Sequence, residues 1–313
     1  MDTHTTAEGQ HVLDDGAKLH TKTWKPSGTV QAYMVVMHGF SDHSDMYPEL
    51  FTTLASQGIE VRAFDQRGWG RSVTKPSEKG HTGPTTTVMA DMTSFLSTII
   101  PNRPVPAAPV FLYGHSMGGQ ETLIYAATGP AHIRQQIRGY LLEAPFVALH
   151  PKSRPNPVTV VVGRLAGKLL PHYHMYNPLD YSVISRDKEI QQAVKEDTLC
   201  HDTGTLEGLA GMLDRAADLE SGKVKVGKDA GEGGKTRIWI SHGTQDKVCS
   251  FEATKNLYES LDPAIEDKEF KVYDGWYHML HRDLPEDRVK YADDVAKWIL
   301  ARLGPGTEPK SKL

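Results

Sequence analysis

Val110-Phe111-Leu112-Tyr113-Gly114-His115-Ser116-Met117-Gly118-Gly119 decides the fold. An apolar strand of four residues runs into G-x-S-x-G, and the pattern continues as a helix from Gly118 to Thr128. Strand, tight turn and helix form the context in which this motif lifts a serine hydroxyl to the C-terminal edge of a sheet. The turn forces strained backbone at the serine and leaves no room for side chains two residues before and two after it. The amide of Met117 opens the helix, where positive partial charge favours an oxyanion.

Working outward, short apolar runs alternate with helical patterns, which predicts a mostly parallel central sheet flanked by helices. Residues 11–25 read as a hairpin turning at Asp14-Asp15-Gly16. Strands are predicted at Tyr33–Met37, Ile59–Phe64, Val110–Tyr113 and Gly139–Leu142, and later at Arg237–Ser241 and Phe270–Tyr273. Helices are predicted at Met46–Gln57, Val88–Ile100, Phe251–Ser260 and Arg288–Leu303. Residues 147–222 show helical segments and no clear strand, so they read as a helical cap inserted into a split core of 1–146 and 223–303. Residues 221–235 are rich in Gly and Lys and read as a mobile surface loop, and 304–313 as a flexible tail.

A serine hydroxyl needs a base, and the base needs an orienter. Around this turn the expected chain order is Ser, then Asp or Glu, then His. Arg237-Ile238-Trp239-Ile240-Ser241-His242-Gly243-Thr244-Gln245-Asp246 supplies a strand, a Gly turn and a carboxylate, so Asp246 is chosen over Asp214, Asp267 and Asp274. Phe270-Lys271-Val272-Tyr273-Asp274-Gly275-Trp276-Tyr277-His278 supplies the base after the last strand. His281 and His242 are its rivals; His242, at a strand end, reads as a packed histidine. The loop His38-Gly39-Phe40-Ser41-Asp42 should offer the amide of Phe40 as second oxyanion donor beside Met117, with His38 structural. His278 and His281 have the spacing of two metal ligands, but no third is evident and no metal is assigned.

The 313 residues carry 35 Lys and Arg against 39 Asp and Glu, a net charge of −4, so no basic field recruits nucleic acid. Two cysteines, Cys200 and Cys249, make no disulfide scaffold and fit a reducing compartment. The N-terminal residues lack a basic segment followed by an apolar run, and no stretch of about 18 apolar residues is present to span a bilayer. Ser311-Lys312-Leu313 matches the tripeptide read by the peroxisomal import receptor, so peroxisomal import is expected.

Five ordered motifs extend the picture: residues 38–44, 64–72, 114–119, 242–249 and 278–286. Together they resemble the monoacylglycerol lipases, especially the fungal ones, over about residues 12–303. The resemblance implies the α/β-hydrolase fold, the triad Ser116, Asp246 and His278, the oxyanion amides of Phe40 and Met117, and a helical cap with a hydrophobic rim. It implies cleavage of carboxylic esters with no metal or organic cofactor. Asp42 and His281 match positions that meet the glycerol end, and Cys249 matches a pocket-lining cysteine. Met46 stands where some members have arginine, and Val194 falls near a cap tyrosine. The helix holding Val158, Val160, Val161, Val162, Leu165, Leu169 and Leu170 is apolar over most of its circumference, so Leu165 and Leu169 are expected against the acyl chain and the cap against a membrane surface. Two other classes remain open. One is a peroxisomal esterase, thioesterase or acyltransferase of a secondary-metabolite or acyl-CoA pathway using the same triad. The other is a non-catalytic binding protein on this fold.

Overall fold

Six apolar runs become parallel strands, and two more strands pair antiparallel at one edge, giving one sheet in the order β1-β2-β4-β3-β5-β6-β9-β10. The strands are β1 (His4–Val12), β2 (Lys18–Pro26), β3 (Ala32–Met37), β4 (Ile59–Phe64), β5 (Val110–His115), β6 (Ile137–Glu143), β9 (Arg237–Gly243) and β10 (Asp267–Tyr273). The computed structural model describes residues 3–154 and 156–304, and for 157–162 only the backbone; Ser311-Lys312-Leu313 lies outside the described residues, as do the side chains of Val158, Val160, Val161 and Val162. β3, β5 and β6 are buried at every position, which is why they read as continuous apolar runs rather than alternating ones. β1 is polar and mostly exposed, so it begins at His4, well before the expected hairpin start. The turn is where expected, with Gly16 at φ 83°.

Helices cover both faces. α2 (Thr85–Ile99), α3 (Met117–Thr128), the short α4 (Ala131–Arg134) and α8 (Phe251–Glu259) lie on one side, with Phe95, Leu123, Ile133 and Leu257 in its core. α1 (Pro48–Ser56) and α9 (Pro285–Leu300) lie on the other, with Phe51, Leu54, Tyr291 and Val295 in theirs. Pro at the first helical position starts both α1 and α9, and the Ser250 hydroxyl caps α8 by accepting from Ala253 N.

Between β6 and β9 the chain builds the cap from α5 (Pro157–Leu169), β7 (His174–Tyr176), α6 (Lys188–Glu196), β8 (Thr203–Thr205) and α7 (Leu206–Glu220). The expectation of a cap without strands is corrected: β7 and β8 pair antiparallel. At three residues each, they are too short to show a period-2 pattern. The expectation of a mobile 221–235 loop is also corrected. Val226 and Ala230 are buried in the core, the Tyr140 hydroxyl donates to Ala230 O at 2.6 Å, and Thr236 Oγ1 accepts from Ala230 N at 2.9 Å. A β-carbon at Gly231 would collide with Lys235 O, so glycine here permits close docking rather than freedom.

Chain order fixes where a site belongs. From β3 the chain passes to β4 on one side and later to β5 on the other. The loops after β3 and β5 therefore flank the crevice at which open α/β sheets hold ligands.

Candidate active site

Ser116 sits at φ 53°, ψ −116° between β5 and α3, a conformation costing on the order of 1–3 kcal/mol. Its N–H donates to Glu143 O at 2.9 Å, which ties the turn to β6. A β-carbon at Gly114 would strike Gly118 O, and one at Gly118 would strike Met37 O. The glycines are thus required by contact between β5, α3 and the end of β3.

Two side chains arrive from downstream. His278 Nε2 lies 3.0 Å from Ser116 Oγ, and His278 Nδ1 lies 2.7 Å from Asp246 Oδ2. All three line or back one pocket, with His278 and Asp246 buried. Asp246 Oδ1 accepts from Val248 N at 2.8 Å and Cys249 N at 2.9 Å. Burial works against the Asp246 charge, but the His278 imidazole and a hydrogen bond from His242 outweigh it and hold the carboxyl well below the usual range. The competing carboxylates lie elsewhere. Asp214 pairs with Arg164, Asp267 with Arg302, and Asp274 accepts from Thr244 Oγ1.

The loop after β3 closes on the nucleophile. A β-carbon at Gly39 would sit 3.3 Å from Ser116 Cβ. Phe40 and Met117 both line the pocket, and Met117, as first residue of α3, has no intrahelical acceptor for its N–H. Both residues thus border the space beside Ser116. His38 holds the loop: its Nε2 accepts from Gln66 N at 2.8 Å, so its Nδ1 carries the proton given to Gly39 O.

Of the expected substrate contacts, Leu165, Leu169 and His281 need correction. Asp42 lines the pocket, but its Oδ2 accepts from Gly39 N (2.9 Å) and the Tyr47 hydroxyl (2.5 Å), and its Oδ1 from His43 N (2.7 Å). It braces the oxyanion loop. Leu165 and Leu169 are 58% and 82% exposed and do not line this pocket. α5 packs on α7, with Gly167 against Leu206, and turns these leucines outward. The cap wall of the pocket is instead Leu179, Ile184, Val194 and Met212.

His281 is also displaced from its expected role. It is buried, stacked on Tyr47 with ring centroids 4.2 Å apart, and both its N–H and Nδ1 face the Glu143 carboxylate at 2.8–3.0 Å. Cys249 is where it was expected: buried in the pocket wall, with Sγ 3.9 Å from Ser116 Oγ. Burial pushes its thiol well up, as does the Asp246 charge, so it stays protonated.

Glu143 is the residue that sequence reasoning missed. Its carboxylate accepts from the Tyr113 hydroxyl as well as from His281, and it lies 3.5 Å from His115 Nδ1. Burial, which would raise it, is outweighed by His281, His115 and the Tyr113 hydroxyl, and its pKa falls to about 2. Burial drives His115 down to about 3 despite the Glu143 charge. The signal available was an acidic residue closing the apolar run Tyr140-Leu141-Leu142. Among the described residues, His115, Glu143 and His281 form one group of donors close enough to share a metal ion, Asp246, Cys249 and His278 a second, and His43, Asp197 and Cys200 a third. His278 and His281 fall in different groups and do not converge.

Met46, Phe146, Leu149, Val248 and Met279 extend the apolar lining, and Ser41, His115 and Asn177 add polar groups to it. The space between these side chains measures about 730 Å³ with the solvent of its open mouth included.

The family model described as Hydrolase_4, serine aminopeptidase, S33, matches residues 28–285. The monoglyceride lipase of Mus musculus is 30% identical over 300 residues, covering 94% of this chain and 92% of that protein. The monoglyceride lipase of Saccharomyces cerevisiae is 28% identical over 301 residues and covers 94% of each. The crystal structure of a soluble variant of the Saccharomyces cerevisiae monoglyceride lipase, in complex with a substrate analog, has a TM-score of 0.86 at 24% identity and covers 97% of this chain and 98% of that one. The chain belongs to the Hydrolase_4 family, with the α/β-hydrolase fold, and is a homologue of the monoglyceride lipases.

Proposed function

We propose that this chain hydrolyses carboxylic esters of fatty acyl chains, with monoacylglycerols as the first substrate class. The observation that carries this reading is the hydrogen-bond chain from Asp246 through His278 to Ser116, opening onto an apolar pocket. His278 takes the Ser116 proton as Oγ attacks the ester carbonyl. The amides of Phe40 and Met117 hold the oxyanion, each such donor contributing about 3–4 kcal/mol. His278 passes its proton to the departing alcohol, leaving an acyl-serine. Water, deprotonated by the same imidazole, then releases the acid. The test is labelling of Ser116 by a fluorophosphonate together with turnover of a monoacylglycerol; an unlabelled serine would favour a binding protein. Ser116→Ala should lower kcat at least 10⁴-fold with an unchanged melting temperature (order of magnitude from triad removals).

A second reading concerns the alcohol. Asp42 and His281 are held by protein partners, and the apolar Met46 lines the same pocket. Esters of apolar alcohols therefore compete with glycerol esters as substrates. A panel of octanoate esters varied only in the alcohol separates the two, by whichever gives the higher kcat/KM.

Two placements go with this reading. Leu169, Leu170, Tyr173, Met175 and Tyr176 form an exposed apolar run at the end of α5 and through β7, which supports docking of the cap on a lipid surface. No helix among the described residues is long and apolar enough to cross a membrane. Ser311-Lys312-Leu313 supports delivery to peroxisomes through the import receptor. A fluorescent protein fused ahead of the full chain should be punctate and become diffuse when the tripeptide is removed.

A further inference from the structure

Two imidazoles, not one, sit on the Asp246 carboxylate. His278 Nδ1 reaches Oδ2 at 2.7 Å, and His242 Nε2 reaches the same oxygen at 2.9 Å. Oδ1 is occupied by the amides of Val248 and Cys249. A carboxylate has about four lone-pair sites, so the group is saturated. His242, next to last in β9, has no exposed surface, and its ring is edge-on to Phe251 at 5.7 Å. It is joined to Asp246 by a rigid turn in which Asp246 N donates to Gly243 O and Thr244 N to Tyr273 O.

An ionised carboxylate only accepts. Each imidazole nitrogen facing it must therefore carry a hydrogen, which makes His242 the Nε2–H tautomer. The other nitrogen agrees: Nδ1 is buried with no partner among the described residues, and a bare ring nitrogen there costs less than an orphaned N–H. We propose that His242 is a positioning residue of the triad, an Nε2–H donor that fixes the rotation of Asp246 and draws off part of its charge, so setting how strongly Asp246 favours a proton on His278. This rests on the serine-hydrolase reading of the site.

The direction of the effect follows. Without the His242 donor, more of the Asp246 charge is left facing His278 and the carboxylate is freer to turn. The imidazolium is then held to higher pH, and the fraction of enzyme with a competent base falls on the acid side. The other titratable groups facing this pair are His115, with its ring 4.8 Å from that of His278, Cys249 behind Asp246, and the Glu143–His281 pair beyond His115.

The experiment is the pH profile of kcat/KM for His242→Leu and His242→Gln in the full chain, on a soluble short-chain ester. Leu removes the donor; Gln keeps an N–H near the Nε2 position. His242→Leu should lose at least tenfold in kcat and move the acid limb up by half a pH unit or more. His242→Gln should stay within about threefold, with the limb unmoved. A wild-type acid limb in the Leu variant, or a Gln variant as impaired as Leu, would show that the ring only fills space. If the Leu variant does not fold, ¹⁵N-histidine NMR of the unaltered protein decides: a proton on His242 Nε2 upholds the proposal, and a proton on Nδ1 overturns it. Failure of Ser116 to take up a fluorophosphonate in the unaltered protein would instead sink the hydrolase reading, while the NMR result still judges the His242–Asp246 bond.

Discussion

Glu143 places a full negative charge, with no exposed surface, beneath the nucleophile. It is held by donors from β5 and from the segment that also carries His278. Its pKa is lowered from the ordinary 4.5 to about 2, so its folded-state advantage is complete above 4.5 and disappears as pH falls towards 2. At about 1.4 kcal/mol per unit this amounts to on the order of 3 kcal/mol. Glu143→Gln should lower stability at pH 7 by roughly that amount, since it removes the charge and turns the oxygen that accepts from the Tyr113 hydroxyl into a donor, and the gap to the unaltered protein should close between pH 4.5 and 2. Denaturant melts across that range check it; a gap that does not change with pH would mean the carboxylate is not charged in the fold. The triad was legible because a strained turn and a fixed chain order leave few choices. The fate of His281 was not, because its partner stands 138 positions away and its own segment gives no hint of which way the ring turns.

At the scale of elements, the cap is clamped to the nucleophile helix by buried polar groups. Arg215 on α7 donates to Glu121 and Gln120 on α3, and the Gln120 amide donates back to Met212 O on α7. Burial raises Glu121 to about 7 against the pull of Arg215, so its charge is a burden that the guanidinium offsets. Arg215→Ala should cost about 3–5 kcal/mol by leaving that carboxylate uncompensated. An acid whose folded pKa is raised loses stability as pH rises from 4.5 upward, so the deficit should be larger at pH 8 than at pH 5. Adding Glu121→Leu should recover most of it, and a double variant as unstable as the single one would refute the account. Elements were legible where burial imposes a period. β3, β5 and β6 read correctly as apolar runs, and α1 and α9 begin near their predicted starts. β7 and β8 escaped because three residues carry no period. α5 was read as a pocket wall because apolar spacing tells that a helix has an apolar face but not what that face meets.

Across the whole molecule, the sheet sets the nucleophile at its switch point, the cap roofs it with Leu179, Ile184, Val194 and Met212, and the outer side of the same cap is greasy. The pocket lining and the exposed apolar side chains are different sets of residues on the cap. Leu169 and Tyr176, 82% and 70% exposed, lie outside the catalytic pocket, so changing them should leave the chemical step alone. Inserting one leucine-sized side chain into a bilayer interface gains roughly 1.5–3 kcal/mol, and about 1.4 kcal/mol is tenfold in affinity. Leu169→Ser with Tyr176→Ser should therefore weaken binding to phosphatidylcholine vesicles at least tenfold. It should raise the apparent KM for a vesicle-borne ester and leave kcat/KM on a soluble short-chain ester within about twofold. Loss of activity on both substrates would place these side chains in the route to the serine instead. Unchanged vesicle binding would mean that this face of the cap meets something other than lipid.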